Sequence, residues 1–446
     1  MPTLTYEQAL AFLDGFTNYE RALRYPYDGW AMNLERVGRL LAALHDPQKN
    51  FQVIHVAGTK GKGSTAAMID CILRAAGFRT GLYTSPHLLS FHERIQVNGA
   101  VISAEAVAEV ASRLKPAAEA VSRDASLGAL TYFEILTALA LAHFAEAKVE
   151  VAVLEAGLGG RWDATNVCDP AAAVVTPISY DHLDILGNTL EKIAIEKAMI
   201  IKPGRPAAIG PQPPEALAVL ETRAKEVAAP IHRVEEHYRW TRRSEGILGQ
   251  TFDLSGDREL AGLFLPLLGD HQLQNAALAV LACDLFNSEA RPLPELAIRQ
   301  GLAAVRWPAR FEVVGEKPAI VLDGAHNAAS AQYLAETLAR IFPGRRVFAV
   351  IGLGADKDVE GFFRELQPAL FAVWLTRSRA MKAVPAERLR AALAGFGGKI
   401  EESATVAEAL RQALAAAGSE DVVLVTGSFY VIGEALTEFS GRRPKA

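Results

Sequence analysis

Residues 53–70 read VIHVAGTKGKGSTAAMID. A run of apolar residues stops at Ala57. A loop of glycines, lysines and hydroxyls follows, and then a helical pattern begins. Strand, glycine loop and helix in that order commit this part of the chain to an α/β layer around a buried strand. The loop is not a strict Walker A motif, since that pattern wants glycine where Val56 stands. Its working parts are nevertheless present. Gly58, Gly61 and Gly63 let the backbone turn tightly and approach an anion. Backbone N–H groups at the start of the helix then face that anion. Lys62 is long enough to reach terminal phosphates, while Ser64 and Thr65 offer hydroxyls. The plain alternative is a flexible glycine turn with solvated lysines; the flanking strand and helix favour the phosphate reading.

The same alternation recurs along the chain. FQVIHVAG, VEVAVLEAG, AAAVVTPIS, PAIVLDGAH, RVFAVIGLG, FAVWLTRS and DVVLVTGSF suit buried strands. Segments such as STAAMIDCILRAAG, TYFEILTALALAHFAEA and ASAQYLAETLARIF suit helices between them. The expected fold is α/β with mostly parallel sheet. The pattern resets at Trp307-Pro308, which predicts a first domain over residues 1–304 and a second over 305–446. The stretch HYRWTRRSEGILGQTFDLSGDRELAGLFLPLLG reads as short strands and turns, expected as an antiparallel patch on the edge of the first domain.

Half of the 446 residues are apolar, which suffices for two or three cores. A net charge of −5 argues against a nucleic-acid partner. No apolar run reaches the length of a membrane span, and the opening MPTLTYEQALAFLDGF lacks the basic and apolar regions of a signal peptide. Cys71, Cys168 and Cys283 form neither a CxxC pair nor a disulfide framework, so a reducing cytoplasm is the expected compartment.

Three further residues stand out. Glu155 ends the strand VEVAVLEAG before a run of glycines. An acid there holds Mg²⁺ beside phosphates in Walker B sites, or simply ends a strand in a turn. His182, in TPISYDHLDILG, follows a buried strand and has Asp181 and Asp184 beside it. It is either a structural histidine or a group at the ligand-binding ends of the strands. In TLEKIAIEKAMIIKPG, helical spacing puts Lys197 on one face with Leu190, Ile193, Ala194, Ala198 and Ile201. A lysine there either snorkels to the surface or serves a buried polar site.

Taken in order, HVAGTKGKGST, YTSPHLLSFHERIQVNG, LTYFE, LEAGLGGRWDATN, ISYDHLDILG, IAIEKA, HQLQNAALA, RFE, LDGAHN and VTGSFY resemble the folylpolyglutamate synthase/dihydrofolate synthase family of the Mur ligase superfamily. The resemblance covers nearly the whole chain. It implies a P-loop ATPase domain that also binds the folate, followed by a smaller Rossmann-like domain that binds glutamate. The implied activity is ATP-dependent joining of glutamate to a pteroate or folate carboxylate through an acyl phosphate. Domain closure would then exclude water from that intermediate.

Residue by residue, the resemblance assigns the ATP phosphates to Gly58, Thr59, Lys60, Gly61, Lys62, Gly63 and Ser64. It assigns Mg²⁺, as one or two ions, to Ser85, Glu155 and His182. Lys197 matches a lysine carbamylated in the superfamily; with Lys62 and His182 it makes up the expected catalytic set. Asn275, Arg310 and Asp323 match nucleotide-contacting positions, and Asp323, His326 and Ser428 lie in motifs bordering the glutamate site. Ala31, Met32, Asn33 and Leu34, with Thr131, Tyr132, Phe133 and Glu134 and with Trp162, Asp163 and Ala164, match the pterin-binding segments. Lys60 stands where the family usually has asparagine, Trp162 replaces a usual leucine and Ala309 a usual glycine. RYPYDGWAMNLERV matches the pterin-proximal loop only loosely.

The implied partners are 7,8-dihydropteroate, reduced folates and L-glutamate, on a monomer without nucleic acid or membrane. The competing readings are a Mur-type ligase acting on a cell-wall precursor, a nucleotide-dependent binding protein without ligase activity, and a small-molecule kinase.

Overall fold

The computed structural model describes residues 3–21, 27–29, 31–286, 293–379 and 383–439. They fall into two compact units. The first holds residues 1–241, 252–263 and 272–305; the second holds 242–251, 264–271 and 306–446.

The first unit is built on an eight-stranded sheet. Its strands are β1 (Gln52–Ala57), β2 (Thr80–Tyr83), β3 (Ile95–Val97), β4 (Ala100–Val101), β5 (Val151–Glu155), β6 (Ala172–Val175), β7 (Ala207–Ile209) and β8 (Ile231–Arg233). The spatial order is β4-β3-β2-β5-β1-β6-β7-β8. Strands β2, β5, β1, β6, β7 and β8 run parallel, and β3 and β4 are added antiparallel at one edge. From β1 the chain passes to β2 on one side, and from β5 it returns past β1 to β6 on the other. Such a reversal leaves a crevice at the carboxyl ends of the strands, where ligands bind in open α/β sheets.

Register fixes what lines that crevice. Val56 lies beside Glu155, Ala57 beside Val175, and Tyr83 beside Leu154. The loops after β1, β2, β5 and β6 therefore leave the sheet side by side. Behind them, the helix Tyr132–Glu146 is apolar nearly all round and buries Ile135, Leu136, Leu139 and Phe144 in the core, as a helix covered on all sides does.

A third sheet contains β9 (Tyr238–Gly246), β10 (Gly249–Gly256) and β11 (Leu260–Leu265) in the order β11-β10-β9. The sequence of these residues reads as short strands in an antiparallel patch on the edge of the first domain. They form a three-stranded sheet of their own, and by sequence its residues are divided between the two units. The second unit is built on a six-stranded sheet of β12 (Glu312–Glu316), β13 (Ala319–Asp323), β14 (Val347–Ile351), β15 (Ala372–Leu375), β16 (Lys399–Glu402) and β17 (Val422–Thr426), ordered β12-β13-β17-β14-β15-β16. All are parallel except β12.

The core of the first unit carries a titratable group. His55 on β1 is wholly buried, with Nε2 at 2.7 Å from Thr165 Oγ1. Burial, and then the Lys202 ammonium, push its pKa down to about 3. The unfolded chain therefore binds a proton below about pH 6.5 that the folded chain refuses, and stability is lost as pH falls through that window. Between pH 7 and pH 5 the parent should lose about 2 kcal/mol more than a His55→Gln variant. Urea unfolding at the two pH values checks this; equal losses would remove His55 as the source.

Candidate active site

Strand β1 delivers the chain into the crevice at Gly58, and the loop there is tied to the one leaving β6. The backbone N–H groups of Thr59 and Lys60 donate to Pro177 O at 3.0 and 3.2 Å. Thr59 Oγ1 donates to Ser179 O and accepts from Ser179 N, both at 3.1 Å. Two glycines are forced by this packing. Gly58 has φ +142°, and a Cβ there would lie 1.9 Å from Thr176 Oγ1. Gly61 has φ +86°, and its Cβ would lie 2.5 Å from Asn275 Oδ1.

The helix Lys62–Ala75 starts immediately after Gly61, whose cap supplies no side-chain hydrogen bond. Its first N–H groups, with the positive end of the helix dipole, face the loop and suit an anion. Ser64 and Thr65 are buried, and Thr65 Oγ1 has no hydrogen-bond partner among the described residues. Gly58→Ala should destabilise the protein by about 2 kcal/mol or more, since left-handed strain adds to a clash with backbone. A melting temperature equal to the parent's would contradict this.

The adjoining strand ends supply the chemistry. Glu155 closes β5 at 5% exposure, and its Oε2 accepts the Ser85 N–H at 3.1 Å. Past it, Asp163 shapes the glycine loop. One carboxylate oxygen accepts the N–H groups of Gly157 (2.8 Å) and Leu158 (3.1 Å), and the other accepts that of Thr165 (3.0 Å). Burial raises the Asp163 pKa against these hydrogen bonds.

His182 sits beyond β6 with a 39% exposed side chain and a left-handed backbone, φ +51°. Lys197, at 4% exposure, comes from the helix Leu190–Ala198 and donates from Nζ to Gly58 O at 2.7 Å. Burial, and then the Lys62 ammonium, push its pKa down to about 7, against the pull of Asp181. This lysine does not snorkel. The helix ends at Ala198, so Ile201, expected on the same face, lies beyond it although still buried.

Hard oxygen donors for a Mg²⁺ ion are present in Glu155 and Ser85. Among the described residues no group of three or more His, Cys, Asp or Glu forms a metal cluster. Mg²⁺ bound mainly by phosphates and waters needs only one or two protein oxygens, so the donor set fits it.

The segments assigned to the pterin divide by role. Asn33 caps the helix Leu34–Ala42, and Thr131 and Glu134 form the capping box of Tyr132–Glu146. The Glu134 carboxylate also receives Arg36 Nε at 3.0 Å from each oxygen. Arg36, 1% exposed, further donates to Leu127 O and Ala31 O. Arg36 was missed in the sequence. The signal was its place one turn before Leu40, on the apolar face of that helix.

Ala31, Tyr132 and Ala164 are buried, whereas Met32, Phe133 and Trp162 are partly open. Phe133 packs against Gly157, and the Trp162 indole against Gly29. Residues 24–26 and 30 of the pterin-proximal stretch lie outside the described residues.

In the second unit, Asp323 ends β13 beside Thr426 of β17. Its carboxylate accepts the N–H groups of Phe311 and Ala325, each at 2.8 Å. Burial raises its pKa and Arg310 opposes the rise. The Arg310 guanidinium lies 4.5 Å from the Phe429 ring centroid and donates to Ala309 O. Ala309 has φ +59°, a conformation that suits the glycine usual at this position. His326 Nδ1 pairs with Gly324 O at 2.8 Å, and Ser428 caps the helix Phe429–Glu438. The unit thus gathers Arg310, Asp323, His326 and Ser428 at the carboxyl ends of β13 and β17. Asn275 is in the first unit, with Nδ2 donating to Gln272 Oε1 at 3.0 Å.

The chain matches the Mur ligase middle domain over residues 56–283 and the Mur ligase, glutamate ligase domain over residues 309–429. The dihydrofolate synthase/folylpolyglutamate synthase of Bacillus subtilis is 37% identical to it, over 94% of this chain and 98% of that protein. The chain belongs to the dihydrofolate synthase/folylpolyglutamate synthase family of Mur ligases. A Mycobacterium tuberculosis folylpolyglutamate synthase complexed with ADP and AMPPCP superposes on it with a TM-score of 0.88, at 35% identity over 99% of both chains. Escherichia coli FolC in complex with DHPP and ADP gives 0.85, at 33% identity over the whole of both.

Like the other folylpolyglutamate and dihydrofolate synthases, the chain is an ATP-dependent carboxylate–amine ligase. Among the described residues no helix is long and apolar enough to cross a membrane.

Proposed function

We propose that the protein adds L-glutamate both to 7,8-dihydropteroate and to reduced folates. One observation supports this above the others. Register sets the ends of β1, β2, β5 and β6 side by side, so the Gly58–Ser64 loop, the Ser85–Glu155 pair and the buried Lys197 converge on one crevice. In this reading a carboxylate oxygen of the folate attacks the γ-phosphorus of ATP, giving an acyl phosphate and ADP. The neutral amine of glutamate then adds to the acyl carbon. The tetrahedral intermediate expels phosphate and loses a proton, leaving the amide.

The first N–H groups of the helix Lys62–Ala75 hold the phosphates, and Lys62 offsets charge that builds on the moving phosphoryl group. Gly61 lets this loop pass against Asn275, which is read as a nucleotide contact. Glu155, Ser85 and His182 are the residues that would hold Mg²⁺, which would neutralise phosphate charge there. Lys197, with its lowered pKa, supplies a neutral amine for CO₂, and the resulting carbamate adds a carboxylate to the crevice. Asp163 holds the glycine loop in shape while Phe133 and Trp162 offer ring faces to the pterin.

The ATP and folate sites are assigned to residues 1–304 and the glutamate site to 305–446. The roles of Arg310 and Asp323 toward the nucleotide, and of His326 and Ser428 toward glutamate, rest on family resemblance. A monomer in a reducing cytoplasm completes the reading; Cys71, Cys168 and Cys283 are all buried and form no disulfide among the described residues.

The test is ADP release by the purified protein with ATP, Mg²⁺ and either dihydropteroate or tetrahydrofolate, with and without L-glutamate. Glutamate-dependent release with both acceptors is the expected result. Release with tetrahydrofolate alone at saturation would reduce the function to polyglutamylation. Release that ignores both acceptor and glutamate would reject the ligase reading.

A further inference from the structure

We propose that Lys60 is a positioning residue of this active site: acting through Asp181, it clamps the turn at His182 onto the glycine loop. The inference rests on the reading that His182 works beside the phosphates. Lys60 stands where the family usually has asparagine, and its sequence position suggested a charge aimed at the nucleotide. The structure directs it elsewhere. Lys60 Nζ donates to Asp181 Oδ2 at 2.8 Å, with the two side chains 25% and 12% exposed. The other oxygen of the same carboxylate accepts the His182 N–H at 3.0 Å. One aspartate thus joins a side chain of the loop after β1 to the backbone of the loop after β6.

The turn that Asp181 holds is one that needs holding. His182 has φ +51° and ψ +42°, a left-handed conformation that L-residues avoid. Such a residue keeps its conformation only when its surroundings impose it. The backbone N–H groups of Thr59 and Lys60 bind Pro177 O, and the Thr59 hydroxyl pairs with the backbone of Ser179. The Lys60–Asp181 pair extends this connection to the His182 backbone. Because both partners are largely withdrawn from water, the pair is screened less than a surface ion pair. Lys60 therefore acts on the site through another residue.

The experiment compares the parent with Lys60→Met, Lys60→Arg, Asp181→Asn and His182→Ala, each as the full chain. Hydrogen exchange is read on peptides covering residues 178–187, and kcat and KM for ATP are measured alongside. Lys60→Met and Asp181→Asn should each speed exchange over 180–186 by about tenfold, the scale of one partly buried ion pair. Peptides from β1, β5 and β6 should keep the parent's protection. In the same variants kcat should fall about tenfold while KM for ATP stays within about twofold. Lys60→Arg should restore both readouts.

Unchanged exchange over 180–186 in Lys60→Met overturns the clamp. So does a rise in KM for ATP with kcat unchanged, which would make Lys60 a phosphate contact. Faster exchange with normal kcat overturns the positioning role. The underlying reading fails separately, in His182→Ala: full turnover there would show that no catalytic group is being positioned, whatever the exchange shows.

Discussion

Lys62→Ala is expected to lower turnover by a factor of about 10² to 10³ while leaving the melting temperature close to the parent's. Deleting one preorganised charge or donor at a developing oxyanion costs about 3–4 kcal/mol in comparable sites. The side chain stands at the first position of the helix Lys62–Ala75, half-buried at the mouth of the crevice. Its loss leaves no cavity in the core, because the half-buried Lys62 side chain precedes the run from Gly63 to Leu73, all of it buried, that the helix contributes to the core. Stability and activity should therefore separate. The measurement is kcat for glutamate-dependent ADP release, set beside a thermal melt. Near-parental turnover from a folded Lys62→Ala protein would take the glycine loop out of the mechanism.

Lys197→Ala is expected to lose activity on a similar scale, for a different reason. A lysine with its pKa pushed down to about 7 is neutral in a large fraction of molecules at physiological pH. Only the neutral amine attacks CO₂; the N–C bond forms, a proton leaves and a carbamate remains. Such a carbamate would supply two oxygens of the hard type Mg²⁺ prefers. Nζ already donates to Gly58 O at 2.7 Å, so the new carboxylate is expected at the root of the glycine loop. Lys197→Ala should recover part of its turnover with added acetate or formate, and Lys197→Met, which keeps the volume, should not be more active than Lys197→Ala. A crystal structure ending at a bare amine in fully active, CO₂-replete enzyme would rule out the carbamate.

Much of this site was legible because it is local. The run from Val53 to Ala57, the glycines at 58, 61 and 63, and the helix-forming residues after them each state their own conformation. Strand, turn and helix follow from period and turn chemistry within about twenty residues. The seven apolar strands were visible for the same reason, and Glu155 was marked by ending one of them. The strands that escaped notice, such as Thr80–Tyr83 and Ala207–Ile209, are only four and three residues long and carry too little pattern to separate from loops.

What the tertiary structure decided is which distant residues share a surface. Helical spacing put Lys197 on an apolar face but left open whether it snorkels or is buried. Burial against Gly58, 139 residues away in sequence, closed that choice. Glu134, in a segment that resembles a pterin-binding one, receives its charge partner Arg36 from 98 residues away. Lys60, read in the sequence as a charge near the phosphates, receives Asp181 of the loop after β6 as a partner from 121 residues away. A side chain's local pattern sets its conformation and the face it occupies. Its charge state and its partner are set by desolvation and by Coulomb interactions over a few ångströms, and those distances exist only once the sheet has put β1, β5 and β6 in register.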